Sequence, residues 1–313
     1  MIDEAKKAGA DAIKFQTFKA SDFVSNKNEK YSYISKGKKV TESMLKMFER
    51  HEFNEKQWKE IANYCKSKKI IFFSTPQNIT DLNLLLKIGI PAIKVGSDDL
   101  VNLPLLEEYS KKKLPMIIST GMGKELEIDE AVKTIEKNNK NLAILHCVSS
   151  YPTDLDDLNL NKIITLKKKY PKHIIGFSDH SQGIFAAEIS VALGAKIFEK
   201  HFTLDKNMDG TDHRFSASPA EFKEIVQKIR NVEKALGKPD LKPTKKEEKM
   251  RKICHRSIVA SKEILKNEKL TKQNITVKRP GTGLPPKYYK KILGKKAKKD
   301  IKKNDLIKLE EIY

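Results

Sequence analysis

A chain of 313 residues, 39% of them apolar, can bury one large core or two smaller ones, and no apolar run approaches the roughly 20 residues that cross a bilayer. Three widely spaced cysteines, Cys65, Cys147 and Cys254, fit reduced thiols of a cytoplasmic protein better than a disulfide framework. Net charge is +21, but residues 1–240 carry 39 Lys and Arg against 33 Asp and Glu, and residues 241–313 carry 23 against 8. The body is therefore nearly balanced, only the tail is strongly basic, and with no reading motif beside that charge nucleic-acid binding is not favoured.

The chain opens in a charged, amphipathic stretch (IDEAKKAGA) that reads as helix and not as a signal peptide. From there to about residue 235, short runs rich in β-branched and aromatic residues alternate with longer amphipathic ones. The predicted strands are AIKFQ (12–16), IIFFST (70–75), AIKVGS (92–97), PMIIST (115–120), LAILHC (142–147), IIGFSD (174–179) and KIFEKHF (196–202). Helical patterns lie between them at 55–69, 81–88, 125–138, 159–169 and 183–193. Runs this continuously apolar are buried on both faces, as in a parallel sheet covered by helices. Three joints, KAGADAIKF, KIGIPAIKV and ALGAKIFEK, each place a glycine after a helix and before a strand, where a left-handed residue ends the helix.

The polar residues gather late in these strands or just beyond them: Lys14 and Gln16, Ser74 and Thr75, Lys94 and Ser97, Ser119 and Thr120, His146 and Ser149, Ser178 and His180, and His201. A β/α barrel collects strand C-termini on one face, where its active site is built, so consecutive strands would set His180 beside His201. Seven strands are found where a closed barrel has eight, and the opening helix has no strand before it. The expected fold is a TIM-type (β/α)8 barrel lacking its first strand, over residues 1–236, with an open doubly wound sheet as the alternative. Residues 237–254 are polar, contain two prolines and read as a linker. Residues 255–313 form a small β-rich unit around RPGTGLPP that is expected to bury little core and to lean on something larger.

Nine motifs follow one another in order: IKFQT (13–17), FSTP (73–76), KVGSDD (94–99), ISTGM (118–122), HCVSSYP (146–152), GFSDH (176–180), EKHFT (199–203), GTDHRFS (210–216) and VKRPGTG (277–283). Together they closely resemble the sialic acid synthases, including their C-terminal antifreeze-like (SAF) domain, over essentially the whole chain. The resemblance implies condensation of phosphoenolpyruvate with N-acetylmannosamine, or a related acetamido-mannose, and water, to give N-acetylneuraminate and phosphate. N,N'-diacetyllegionaminate synthesis from 2,4-diacetamido-2,4,6-trideoxymannose is the alternative within the family. A related synthesis of an eight-carbon sugar acid phosphate is opposed by the C-terminal domain, and a basic nucleic-acid-binding barrel is the remote alternative.

Within that resemblance each residue takes a role. Two neutral imidazoles, His180 and His201, make a partial site for a divalent metal with positions left for water and substrate; the family implies manganese, with magnesium or cobalt as alternatives, polarising the sugar aldehyde. Phosphoenolpyruvate needs cations and donors, for which Lys94 leads and Lys14 is second, with Thr75, Ser97, Ser119, Ser149 and Ser178 supplying hydroxyls. Sugar recognition is expected from Gln16, Tyr151 and Asp212. Many relatives carry glutamate, a proposed proton-transfer group, where Asp99 stands, and Asp98 competes for that role. Arg279 matches an arginine that reaches a neighbouring subunit's site, which implies a domain-swapped homodimer. His146, His173 and His213 read as structural, and Cys147 as a small buried hydrophobe. A segment like AEIG-x-N-H-x-G, which relatives carry upstream of the matched region, is absent, so a form extended upstream by about forty residues is expected to be the more active one.

Overall fold

The computed structural model describes residues 1–313, the side chain of Phe23 excepted, as two units, Met1–Gly237 and Lys238–Tyr313. In the first unit the elements run α1 (Ile2–Lys7), β1 (Ala12–Thr17), α2 (Ala20–Phe23), β2 (Lys30–Ser35), β3 (Lys38–Ser43), α3 (Met44–Glu49), α4 (Glu55–Ser67), β4 (Ile71–Pro76), α5 (Ile79–Ile88), β5 (Ile93–Val95) and α6 (Leu103–Ser110). They continue with β6 (Met116–Ser119), α7 (Glu125–Glu136), β7 (Leu142–Cys147), α8 (Lys162–Lys169), β8 (Ile174–Asp179), α9 (Phe185–Ala192), β9 (Phe198–Lys200) and α10 (Pro219–Leu236). All seven expected strands form. They pair in parallel in the order β1-β4-β5-β6-β7-β8-β9, a curled half barrel; among the described residues no ladder joins β9 back to β1.

Strand alternation divides the sheet into two faces. Phe72, Ile93, Val95, Met116, Ile118, Ile144 and Phe177 pack outward in one cluster with Leu82 and Leu85 of α5, Leu106 of α6, Ile135 of α7 and Ile163 of α8. The inner face carries Lys14, Gln16, Thr75, Lys94, Ser119, Ser178 and Glu199. The predicted joints behave as expected: φ is 92° at Gly89 and 105° at Gly194, so each helix ends on a residue that a Cβ would strain. Helix α10, outside the sequence reading, starts on a Ser218–Glu221 capping box with Pro219 in its first turn.

The hairpin β2–β3 was also outside that reading, because its two strands are lysine-rich and half exposed. Its turn uses positive φ at both Lys36 (48°) and Gly37 (74°), the geometry that follows strand twist in a two-residue hairpin. The hairpin tip meets the loop after β9: Lys36 pairs with Asp209 at 2.8 Å, and the Gly210 N–H donates to Ser35 Oγ at 3.3 Å.

The second unit contains α11 (Lys245–Cys254), β10 (Ser257–Ala260), β11 (Ile275–Lys278) and α12 (Tyr289–Ile292). Two expectations are corrected there. The stretch read as linker is helical from Lys245, because Thr244 and Glu247 form a capping box that starts a helix in a polar run. The unit is also not coreless: Ile258, Ile264, Leu270, Ile275, Leu284, Ile292, Ile301, Ile307 and Ile312 form a buried cluster of their own. These aliphatics are scattered through loops and short bridges, so no helical or strand period betrays them in sequence.

Candidate active site

Register on the inner face decides which side chains meet. Lys94 on β5 is almost fully buried, and its Nζ donates to Ser119 Oγ on β6 at 2.7 Å and to the Val95 carbonyl at 2.9 Å. Burial pushes the Lys94 ammonium below its usual range, and Glu199, 3.9 Å away, opposes that. Lys14 on β1 reaches Glu199 on β9 at 3.4 Å, so the curl brings the two edge strands within side-chain reach. Ser178 donates to the same Glu199 oxygen at 2.9 Å. Burial works against the Glu199 charge, but Lys14, then Lys94, Ser178 and His201 outweigh it and pull the carboxyl down to about 2. Glu199 is thus an anion tying both lysines together.

The sequence reading passed over Glu199 in favour of its neighbour in EKHFT. A signal was there: Glu199 and His201 share a face by the period of two, and an acid in a buried strand requires a cation.

Beside Lys94 the hydroxyls converge. The Gly121 N–H donates to Ser97 Oγ at 3.0 Å, and a Cβ at Gly121 would stand 2.3 Å from Ser149 Oγ and 2.7 Å from Ser97 Oγ. Ser149 Oγ and Thr75 Oγ1 are buried without a hydrogen-bond partner. Buried unpaired donors are costly, and a small anion supplies what they lack.

At the other end of the face, His180 is buried and its Nδ1 lies 2.7 Å from the Val148 carbonyl. That bond places the proton on Nδ1 and the lone pair on Nε2. Burial first, and then the nearby His201, lower its pKa to about 4, so the ring is neutral at pH 7. His201 Nδ1 lies 3.4 Å from Asp212 Oδ2, which directs its own Nε2 outward in the same way. The two rings stand 5.2 Å apart, with Tyr151 4.2 Å from His180 and Phe215 5.3 Å from His201. Burial opposes the Asp212 charge, but His201 holds its carboxyl below the usual range. A neutral His180 with an oriented lone pair, beside His201, suits a divalent transition metal; among the described residues no three His, Cys, Asp or Glu side chains converge on one point, so protein would fill only part of a coordination shell.

Among the described residues Gln16, Asp99 and Arg279 take no part in the bonds described above. Gln16 is exposed on edge strand β1, in register with Thr75. Asp99 accepts from Asn102 Nδ2 at 3.0 Å and is turned toward buried Tyr109; burial raises its pKa, with Asp98 adding to the effect. The neighbouring Asp98 acts only weakly through its charge on Lys94 and Tyr151, behind burial and nearer groups, so both acids stay candidates. Arg279 belongs to the second unit. The remaining histidines make structural bonds: His146 to the Leu158 carbonyl, His173 to Glu136 and His213 to Thr203. Cys147 is buried, with Sγ 3.7 Å from His180 Nδ1.

Among the described residues no helix is long and apolar enough to cross a membrane. Comparison with known proteins gives a match to the NeuB family over residues 1–240 and to the SAF domain over residues 255–312. The chain is 39% identical over 311 residues to the N,N'-diacetyllegionaminic acid synthase of Campylobacter jejuni, covering 98% of this chain and 93% of that protein. It is 35% identical over 317 residues to the N-acetylneuraminate-9-phosphate synthase of Homo sapiens, covering 100% and 87%. The solved structure of the N-acetylneuraminic acid synthetase from Leptospira borgpetersenii superposes with a TM-score of 0.72 at 37% identity, over 80% of this chain and 82% of that one. With its buried lysine, paired imidazoles and half barrel, the chain belongs to the NeuB family of sialic-acid-type synthases, carbon–carbon bond-forming enzymes, and carries their SAF domain.

Proposed function

We propose that this chain joins phosphoenolpyruvate to the aldehyde of an acetamido-mannose and, with water, releases a nine-carbon sialic-type acid and inorganic phosphate. One observation carries the reading: a buried lysine among unpartnered hydroxyls shares the inner face of the sheet with two adjacent imidazoles. Lys94, Ser119, Ser97 and the Gly121 N–H would receive the phosphate and carboxylate, and the orphan hydroxyls of Thr75 and Ser149 would complete their coordination. Carbon 3 of the enol then bonds to the aldehyde carbon, water adds at carbon 2, and cleavage of the carbon 2–oxygen bond releases phosphate and leaves a ketone. Glu199, anionic between its lysines, would face the positive charge that develops at carbon 2. A divalent cation, manganese with magnesium or cobalt as substitutes, would be held by His180 and His201 and would supply Lewis-acid polarisation of the aldehyde oxygen. Tyr151 and Asp212 would orient the sugar, Asp98 or Asp99 would exchange protons with it, and Arg279 would reach a partner's site in a domain-swapped homodimer. Three free cysteines suit a cytoplasmic reaction.

N-acetylmannosamine is the first acceptor to test. The 39% identity to a legionaminic acid synthase favours 2,4-diacetamido-2,4,6-trideoxymannose as a second reading. Phosphate release from phosphoenolpyruvate should be assayed with each sugar, with Mn2+ and after chelation, on this chain and on a form extended upstream. Release that needs one of the two sugars and falls on chelation is the expected result. Saturating Mn2+ with no release from either sugar in either form overturns the proposal.

A further inference from the structure

Behind the two imidazoles, on the opposite face of the same strand ends, lies a charge pair that the proposed reaction does not use. Lys200 Nζ is 2.7 Å from Asp179 Oδ2, and both side chains are sealed from solvent, at 1% and 0% exposure. Asp179 Oδ1 accepts from the Ser181 N–H at 2.8 Å and from Ser181 Oγ at 2.7 Å, while Lys200 also donates to the Ser181 carbonyl at 2.6 Å. Every strong partner of this network is thus internal to it.

Its place in the chain gives it meaning. Asp179 and Ser181 flank His180, and Lys200 sits between Glu199 and His201. Asp179 and Lys200 are register partners in the β8–β9 ladder, as are Ser178 and Glu199 one step earlier, so one pair bonds on the inner face and the next on the outer. The carbonyls of the histidines are held too, His180 by the Thr153 N–H at 3.0 Å and His201 by the Ala217 N–H at 2.8 Å. A buried pair of this kind is a poor source of net stability but a strong fixer of geometry, since breaking one side leaves a stranded charge.

We infer that Asp179, Lys200 and Ser181 are positioning residues, an outer-face clamp that locks the ends of β8 and β9 in register so that His180, His201 and Glu199 meet at fixed distance. The inference rests on the proposed metal site only for one of its two readouts. In the double variant Asp179→Asn/Lys200→Met no charge is left buried and Asn still accepts from Ser181, so the fold is retained. Its Mn2+ dissociation constant, read by electron paramagnetic resonance without substrates, should weaken about 10- to 100-fold, and kcat should fall with a KM for phosphoenolpyruvate changed by less than about threefold. Ser181→Ala, which removes one donor and keeps every charge paired, should move the same constant by a smaller factor at an unchanged melting temperature. The second readout needs no metal: ring 15N shifts should show the Nδ1–H tautomer for His180 and His201 in the parent and a tautomer mixture in the double variant. A parent that takes up no Mn2+ overturns the metal reading alone, because the tautomers still report the clamp. Unchanged tautomers in both variants, or a Mn2+ constant in both within about twofold of a binding parent, would sink the clamp.

Discussion

The two ends of the concave face are built on opposite principles. Around His180 and His201 every ring is already oriented, by the Val148 carbonyl, by Asp212 and by Tyr151 and Phe215. Around Lys94 the structure is left incomplete: a cation is buried with one distant carboxylate, and the Thr75 and Ser149 hydroxyls have nothing to bond. Groups that must hold a geometry are satisfied in advance, whereas groups that must take up an anion keep unspent hydrogen-bonding capacity. The unpaired Thr75 and Ser149 hydroxyls therefore mark the proposed donor subsite, while Asn78, His173 and Arg214 carry the other buried unpaired atoms.

That contrast can be broken by experiment. Lys94→Met should lower kcat/KM by roughly 10³-fold, as loss of a preorganised charge does, while leaving the melting temperature equal or higher, because a poorly paired buried cation is removed. Retained turnover in a destabilised protein would mean that Lys94 serves the fold and not the anion. The imidazole end should reveal itself through pH. His180 falls from 6.5 to about 4 on folding, so the unfolded chain binds more protons in that window. Stability should then rise with pH from 4 to 6.5 and be lost as pH falls back through it. His180→Gln should flatten that slope by about 3 kcal/mol across the window, measured by urea unfolding at successive pH values. An unaltered slope would show that His180 is no more buried than a surface histidine. The smallest effect should come from Gly121→Ala. Its new Cβ would press on Ser149 and Ser97, raising KM for phosphoenolpyruvate roughly tenfold with little change in kcat, because about 1.4 kcal/mol of donor binding is lost. An unchanged KM would place the donor elsewhere.

Much of this was legible in the chain. Seven strands could be found because a parallel sheet leaves largely apolar runs, and His180 and His201 could be paired because both close such runs on consecutive strands. Lys94 stood out as a charge inside an apolar segment. What escaped has physical reasons. Hairpin β2–β3 and helix α11 are mostly polar, and their signals are a turn and a cap, not a period. The core of the second unit is held by aliphatics without spacing. Asp98 and Asp99 are adjacent and chemically alike, and only the Asn102 and Tyr109 neighbours separate them.

The sequence by itself determined the seven sheet strands, their order, the family and which residue types reach the strand ends, because burial and alternation are written locally along each strand. Only the tertiary structure decided that Glu199 lies between Lys14 and Lys94, that Ser149 and Thr75 are left unpaired, and that Asp179 and Lys200 brace the histidines from behind. Those relations depend on curl and on inter-strand register, which join residues far apart in the chain and leave no trace in the spacing of any one segment.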